Sequence, residues 1–178
     1  MKLILLMVAC FIVSALSSDS PPPVWPERFS QSFIQRDTSS KIFISGKLYY
    51  DIKNNRQRCD VQKDYFDLLC SSVSQSQNSS CSQIIMNDKL YIYLPDENLC
   101  CKCCTTEEGC KITPRDWLKD FQYIGPYIVN WEVYDRWSHY DMPRNITYSA
   151  SQDEYRIPKC IETGSYGIDF LTGTYTEE

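Results

Sequence analysis

The chain of 178 residues carries 18 Lys and Arg against 23 Asp and Glu, a net charge of -5, and 13% of it is aromatic. That length suits one domain with its own core. The mild acidity argues against nucleic acid or anionic membrane as the main partner, and so many rings argue against a disordered chain.

The N-terminus reads as a secretory signal. Lys2 supplies the positive charge, residues 3–13 form an apolar run, and Ala15-Leu16-Ser17 fits the small-x-small cleavage pattern. We therefore read 1–17 as a signal peptide, which places the mature protein outside the cell or in the lumen of the secretory pathway. The apolar run is shorter than the roughly 20 residues that span a bilayer, and no other stretch approaches that length, so no transmembrane segment is expected. Residues 18–26 form a Pro-rich leader, extended and exposed until Trp25 anchors it. Residues 27–178 are read as a single β domain, its core opening with Phe29, Phe33 and Ile34.

From Lys41 the pattern has period two. Ile42, Ile44, Gly46, Leu48 and Tyr50 share one face, and the run 56–61 returns with Cys59 and Val61 on one side, as in a hairpin. Residues 64–70 read as a further strand, and 71–80 as a solvated Ser/Gln/Asn loop. Asn87-Asp88 joins two strands through a tight turn, the second alternating Leu90, Ile92 and Leu94 with Lys89, Tyr91 and Tyr93. Thr113, Pro114 and Asp116 give a helix-start signal, with Trp117 and Leu118 as the apolar side of one or two turns. Residues 121–124 resume a strand that stops at Gly125-Pro126. A single alternating strand then carries Tyr127, Val129, Trp131, Val133 and Trp137 on one face. Short strands follow over 146–149, 154–161 and 168–175. Short polar links favour an antiparallel meander.

Of the 10 cysteines, Cys10 leaves with the signal, and the other nine are Cys59, Cys70, Cys81, Cys100, Cys101, Cys103, Cys104, Cys110 and Cys160. In an oxidising compartment these are disulfide candidates, with one left over. Sequons at Asn78 and Asn145 agree with a glycosylated, secreted product. The dense cluster 98–110 lacks the paired knuckles of a zinc ribbon and the strand-helix setting of a redox motif. In an extended segment Cys101 and Cys103 project to one face, and Cys100 and Cys104 to the other. The cluster therefore reads as a central clamp of the sheet.

Catalytic signals are missing. His139 is the only histidine, in Trp137-Ser138-His139-Tyr140-Asp141, and reads as an exposed turn residue. No Gly-x-Ser-x-Gly elbow, phosphate loop or His-Glu-x-x-His is present. Charges such as Glu132 and Asp135 read as a solvated strand face. No catalytic residue, cofactor or metal ligand is nominated, and the protein is read as a non-enzyme.

Several motifs in order resemble a known group: Pro22-Pro23-Val24-Trp25-Pro26 then Phe29; Gly46-Lys47-Leu48-Tyr49-Tyr50-Asp51 then Arg56; the 100–110 cysteines; Asp116-Trp117-Leu118 then Tyr123-Ile124-Gly125; and Arg156-Ile157-Pro158. They are similar to secreted cysteine-rich proteins of plants and protists, distantly similar to ependymins. The resemblance covers 22–175. It implies a curved antiparallel sheet, the half-barrel shared with LolA-type lipoprotein carriers, holding an apolar ligand in its concavity. This chain departs from the pattern at Val129-Asn130-Trp131, where the group carries a cysteine before the tryptophan. Calcium binding is not carried over, because no Asp-rich ligand loop is present.

The expectation is a mainly β, disulfide-stapled half-barrel with one or two short helices that binds a lipid or other hydrophobic ligand. Tyr127, Val129, Trp131 and Val133 are the ligand-pocket candidates. The alternatives are an extracellular structural or adhesion protein that forms homodimers through the odd cysteine and, last, a glycan-active enzyme.

Overall fold

The computed structural model describes residues 20–62, 68–74, 79–141 and 144–177. The signal-peptide residues 1–17 and Asn78 of the first sequon lie outside them. Twelve strands form one open antiparallel sheet: β1 Arg28–Asp37, β2 Ile42–Asp51, β3 Arg56–Val61, β4 Cys81–Met86, β5 Lys89–Leu94, β6 Leu99–Thr105, β7 Gln122–Val129, β8 Glu132–Asp141, β9 Arg144–Ser151, β10 Pro158–Thr163, β11 Tyr166–Phe170 and β12 Thr176–Glu177. Their order is β6-β5-β4-β3-β2-β1-β11-β10-β9-β8-β7, with β12 beside β1. The sheet is thus two meanders, β1–β6 and β7–β11, joined where β1 pairs with β11.

The hairpins read from alternation are present. β2 pairs with β3 through Tyr50↔Gln57 and Leu48↔Cys59, and β4 pairs with β5 across Asn87-Asp88. Both residues of that turn take positive φ, +51° and +58°, the backbone that a two-residue connection requires. Ile44, Leu48 and Tyr50, with Leu90, Ile92 and Leu94, are buried on the inner face.

Four expectations are corrected. Residues 68–71 of the supposed strand 64–70 form a single helical turn, α1 Leu68–Ser71, and 63–67 lie outside the described residues. Residues 115–120 are consecutive turns and not a helix, closed by i to i−3 bonds such as Lys119 N to Asp116 O at 2.9 Å and Phe121 N to Leu118 O at 2.9 Å. The strand after Phe121 does not stop at Gly125-Pro126. It passes through them by a bulge between Tyr123 and Gly125, with Gly125 at φ +107°. Finally, Ile34 is 38% exposed, because it is out of phase with Phe29 and Phe33 on β1.

The sheet is strongly curved. In a flat sheet four strand spacings would separate β2 from β9 by roughly 19 Å. Yet the Trp25 ring meets Tyr50 of β2 at 5.4 Å, and its Nε1 donates to the hydroxyl of Tyr148 of β9 at 3.2 Å. Trp117 completes the contact, 5.6 Å from both Trp25 and Tyr148. The inner face is therefore wrapped around two indoles supplied by the leader and by the β6–β7 crossover, together with Ile112, Leu118 and Phe121.

The leader is consequently less exposed than its composition implies. Pro23 is buried, and Ser20 is held by Trp137 Nε1 donating to its carbonyl at 2.9 Å and by Arg156 Nη2 at its hydroxyl, 3.2 Å. On the outer face Arg36 bridges Asp169 at 2.7 Å and Glu162 at 3.0 Å. Arg136 meets Glu162 at 2.6 Å and lies over the Tyr127 ring at 4.4 Å. This half-exposed ladder ties β1, β11, β10, β8 and β7 laterally, though each such pair contributes little alone.

Gly46 marks the tightest point. A Cβ there would sit 2.5 Å from the Asp60 carbonyl oxygen and 2.6 Å from Phe33 Cζ, so the Phe33 ring lies directly over glycine. Gly46→Ala is expected to cost about 2 kcal/mol, read as a lowered urea midpoint with an unchanged m-value. An unchanged midpoint would show that Phe33 has room to move.

Candidate functional site

The inner face divides into two parts. One is the indole-filled core beneath the leader and crossover. The other is a smaller cluster of Ile44, Val61, Cys70, Cys81, Ile92 and Leu94, beside α1. Between β1, β2, β3 and α1 the face opens as a cleft of about 350 Å³. Its apolar wall is Phe33, Ile42, Ile44 and Val61, with Leu69 of α1 at the rim, and its polar groups include Gln35, Asp37, Gln83 and Tyr166.

Strand register explains this grouping. Gln35 pairs with Ile44, Asp37 with Ile42 and Phe33 with Gly46, so the inward residues of β1 and β2 stand side by side. Gly46 in turn pairs with Val61, and Cys59 with Gln83, which extends the wall across β3 and β4. The volume lies in the range of small-molecule sites, and the lining, mainly apolar with a few polar groups, is typical of them.

Among the described residues Asp37 is the charged side chain of this lining. Its carboxylate accepts from Ser39 Oγ at 2.6 Å, Ser40 Oγ at 2.8 Å and Ser39 N at 2.9 Å. Those bonds, Ser39's side chain foremost, lower its pKa to about 2. The cleft therefore carries a fixed negative charge at one end at any physiological pH. A larger depression, 610 Å³, is lined by Arg144, Asn145, Thr163, Gly164, Ser165 and Tyr166 at the tips of two hairpins. It is broad and polar, and lacks the apolar wall.

The sequence-based pocket candidates do not converge. Asn130 and Trp131 take φ of +50° and +69°, a two-residue turn that reverses the chain between β7 and β8. The supposed single strand is two strands. Trp131 stands at the tip, 97% exposed. Tyr127 pairs with Tyr134 and Val129 with Glu132, on the outer face of the Arg136 ladder, whereas Val133 pairs with Ile128 on the opposite face.

The cysteines also fall differently from the expected central clamp. Cys70–Cys81 tethers α1 to β4, and Cys104–Cys110 closes a short loop at the end of β6. The cluster lies on the outermost strand, so it cannot tie both sides of the sheet. A bulge between Leu90 and Tyr91 alters the phase: Cys101 faces Ile92 and Cys104 faces Leu90, both inner-face residues, while Cys100 faces Tyr93. Cys100, Cys101 and Cys103 are thiols, and Cys100 and Cys103 are exposed. Partial burial and the neighbouring Cys101 and Cys100 push the Cys103 thiol up. Cys59 lines the cleft, and Cys160 is a buried thiol raised to about 12 by burial and by Asp169 and Glu162, an inert environment.

His139 belongs to β8, half-buried and stacked on Phe121 at 5.4 Å with Nδ1 3.2 Å from the Asp120 carbonyl. Among the described residues no three His, Cys, Asp or Glu side chains converge as a metal site requires, and no helix is long and apolar enough to cross a membrane. Asn145 is exposed at the start of β9.

Asp135 is not a solvated strand charge. It is 6% exposed, paired with Arg156 and accepting from Gln152 at 2.9 Å and Tyr123 at 3.0 Å. Burial works to raise its pKa, but the bonds from Gln152, Arg156 and Tyr123 and the Arg156 charge outweigh it and hold it below the usual value. A folded-state pKa below the unfolded one stabilises above about pH 4, and that stability is lost as the pH falls through the folded value. Asp135→Asn is therefore expected to lower the urea midpoint at pH 7 and to flatten its decline between about pH 5 and 2. A parallel decline in wild type and variant would remove Asp135 from the acid response.

Comparison with known proteins gives fold alone. No protein-family model matches the chain, and no curated protein matches it in sequence. A crystal structure of a conserved protein from Thermus thermophilus, itself described as uncharacterized, superposes with a TM-score of 0.56 at 8% identity. The match covers 85% of this chain and 78% of that one. The class defined by the fold is thus an open, curved antiparallel sheet with a plugged inner face and a free cleft beside the plug.

Proposed function

We propose that the protein is a secreted, glycosylated, non-catalytic binding protein that holds an amphipathic small molecule in the cleft between β1, β2, β3 and α1. One observation carries the reading: the inner face is filled under Trp25 and Trp117 but open beside Phe33, Ile42, Ile44 and Val61. Burying apolar ligand surface against that wall supplies the affinity, at roughly 25 cal/mol per Å² before the costs of association. The exposed Asn145 and the two disulfides accord with passage through an oxidising, glycosylating compartment.

The electrostatics select the head group. Asp37 holds its charge beside the apolar wall, so a neutral or cationic head group is favoured over a carboxylate. Because Asp37 is only half-buried, solvent and salt weaken the effect.

Equilibrium binding of a monoacylglycerol and a fatty acid of equal chain length tests both statements. The neutral probe should bind about three- to tenfold more tightly, and Asp37→Asn should narrow the gap. Ile42→Trp, which fills the cleft, should weaken the neutral probe at least tenfold. Absence of binding to either probe, or binding unaffected by Ile42→Trp, would sink the cleft assignment. Equal affinities in wild type would leave the cleft standing and remove the role of Asp37.

A further inference from the structure

We propose that the cleft and the depression at the hairpin tips form one site for a long-chain amine phosphate. Its alkyl chain lies in the cleft, its protonated amine meets Asp37, and a phosphate beyond the amine meets Arg144. The inference rests on the reading of the cleft as the ligand site and adds the order of charges along it.

Tyr166 joins the two spaces, because it lines both of them. Strand order then sets the sequence of chemistry across the sheet. The lining runs from Val61 on β3 and Ile44 on β2 to Asp37 on β1. It continues through Tyr166 on β11 and Thr163 on β10 to Arg144 on β9. Register keeps these side chains on one face: Asp37 pairs with Tyr166, Tyr166 with Thr163, and Thr163 with Ile146. Arg144 stands two residues before Ile146 and so shares its side of β9. The intervening turns are tied together, Thr38 N and Oγ1 both donating to the Ser165 carbonyl at 2.9 and 3.1 Å.

The two charges are held apart. Asp37 is ionised at physiological pH. Arg144 is exposed and makes no ion pair or hydrogen bond with another described residue. Three strand spacings separate β1 from β9, roughly 14 Å in a flat sheet and less on the concave side. Side chains reaching toward each other over that span leave a gap that an amine and a phosphate fill. Thr163 and Ser165 place hydroxyls beside Arg144, as a phosphate requires. Asn145 alternates to the opposite side of β9, so a glycan on it leaves the inner face open.

The order of charges decides between ligand classes. In sphingosine 1-phosphate the amine lies next to the chain and the phosphate outside it, which matches Asp37 before Arg144. In a lysophosphatidylethanolamine the order is reversed. Its phosphate would then stand against Asp37 and its amine against Arg144, so like charges would meet at both points. A fatty acid fails at the first of them, because its carboxylate follows the chain directly.

The test is equilibrium binding of sphingosine, sphingosine 1-phosphate and oleoyl-lysophosphatidylethanolamine to the purified full chain, each below its micelle concentration. The phosphate should bind about three- to fivefold more tightly than sphingosine, since Arg144 is solvent-exposed. Arg144→Gln should close that gap. Lys53→Gln, which removes the same charge beyond the far end of β2, should leave it. The lysophosphatidylethanolamine should bind weakest of the three and should not be weakened by Arg144→Gln. Equal affinity for sphingosine and its phosphate would overturn the proposal and leave the cleft standing. So would a gap that survives Arg144→Gln or closes equally in Lys53→Gln, or a lysophosphatidylethanolamine that binds as tightly as sphingosine 1-phosphate. Absence of binding by all three would overturn the cleft reading as well. Each comparison is a ratio of two ligands on one protein, so a partly unfolded variant does not distort it, and the order of the three probes is read on the unsubstituted chain.

Discussion

The architecture depends on what fills the concave side of the sheet. A sheet curled this tightly leaves a trough that would expose Phe29, Leu48, Tyr50, Tyr148 and Trp137, and the chain closes it with Trp25 and Trp117. Neither indole belongs to a strand. Trp25 comes from the Pro-rich leader and Trp117 from the β6–β7 crossover. The two segments also hold each other: Trp25 N donates to the Arg115 carbonyl at 3.0 Å, and Arg115 Nε donates back to the Trp25 carbonyl at 2.7 Å. Edge-to-face ring contacts among Trp25, Phe29, Tyr50 and Trp117 add specific geometry to the apolar burial.

This plug divides the molecule. On its side of the trough the inner face is a filled core, which Asp135 enters paired with Arg156 and accepting from Tyr123 and Gln152. On the other side, beside α1, the wall of Phe33, Ile42, Ile44 and Val61 borders open space. The outer face carries the charge ladder of Arg36, Asp169, Glu162 and Arg136, which fixes strands laterally and leaves the inner face to decide what is bound.

Much of the sheet was legible in the sequence, because period-two patterning and Asn-Asp turn chemistry are local. The runs over Ile42 to Tyr50 and Leu90 to Leu94 read correctly, as did the turn at Asn87-Asp88. The turn at Asn130-Trp131 was hidden because tryptophan is an unusual turn residue and the alternation runs unbroken through it. The bulges at Tyr123–Gly125 and Leu90–Tyr91 shift side-chain phase without any compositional mark beyond a glycine in the first case. The cleft was illegible for a different reason. It is made by lateral register among β1, β2, β3 and β4, while its most aromatic apparent rival sat on a hairpin tip. Asn130 beside Gly-poor, strand-like flanks was the one available hint.

The pairing of β1 with β11 also sets a kinetic condition. Phe33 lies against Phe170 and Phe29 against Glu177, so β1 meets its second neighbour only once residues 166–177 have been made. The bridges Cys70–Cys81 and Cys104–Cys110 span separations of 11 and 6 residues and need no such wait. During synthesis β1–β6 can therefore be assembled and cross-linked while β1 still presents an unpaired edge. Contacts of such long sequence separation form slowly, and exposed edges invite association with other chains. β11 and β12 thus act as the seal of the fold, and protection of the emerging β1–β6 meander becomes a demand on the compartment in which it is made.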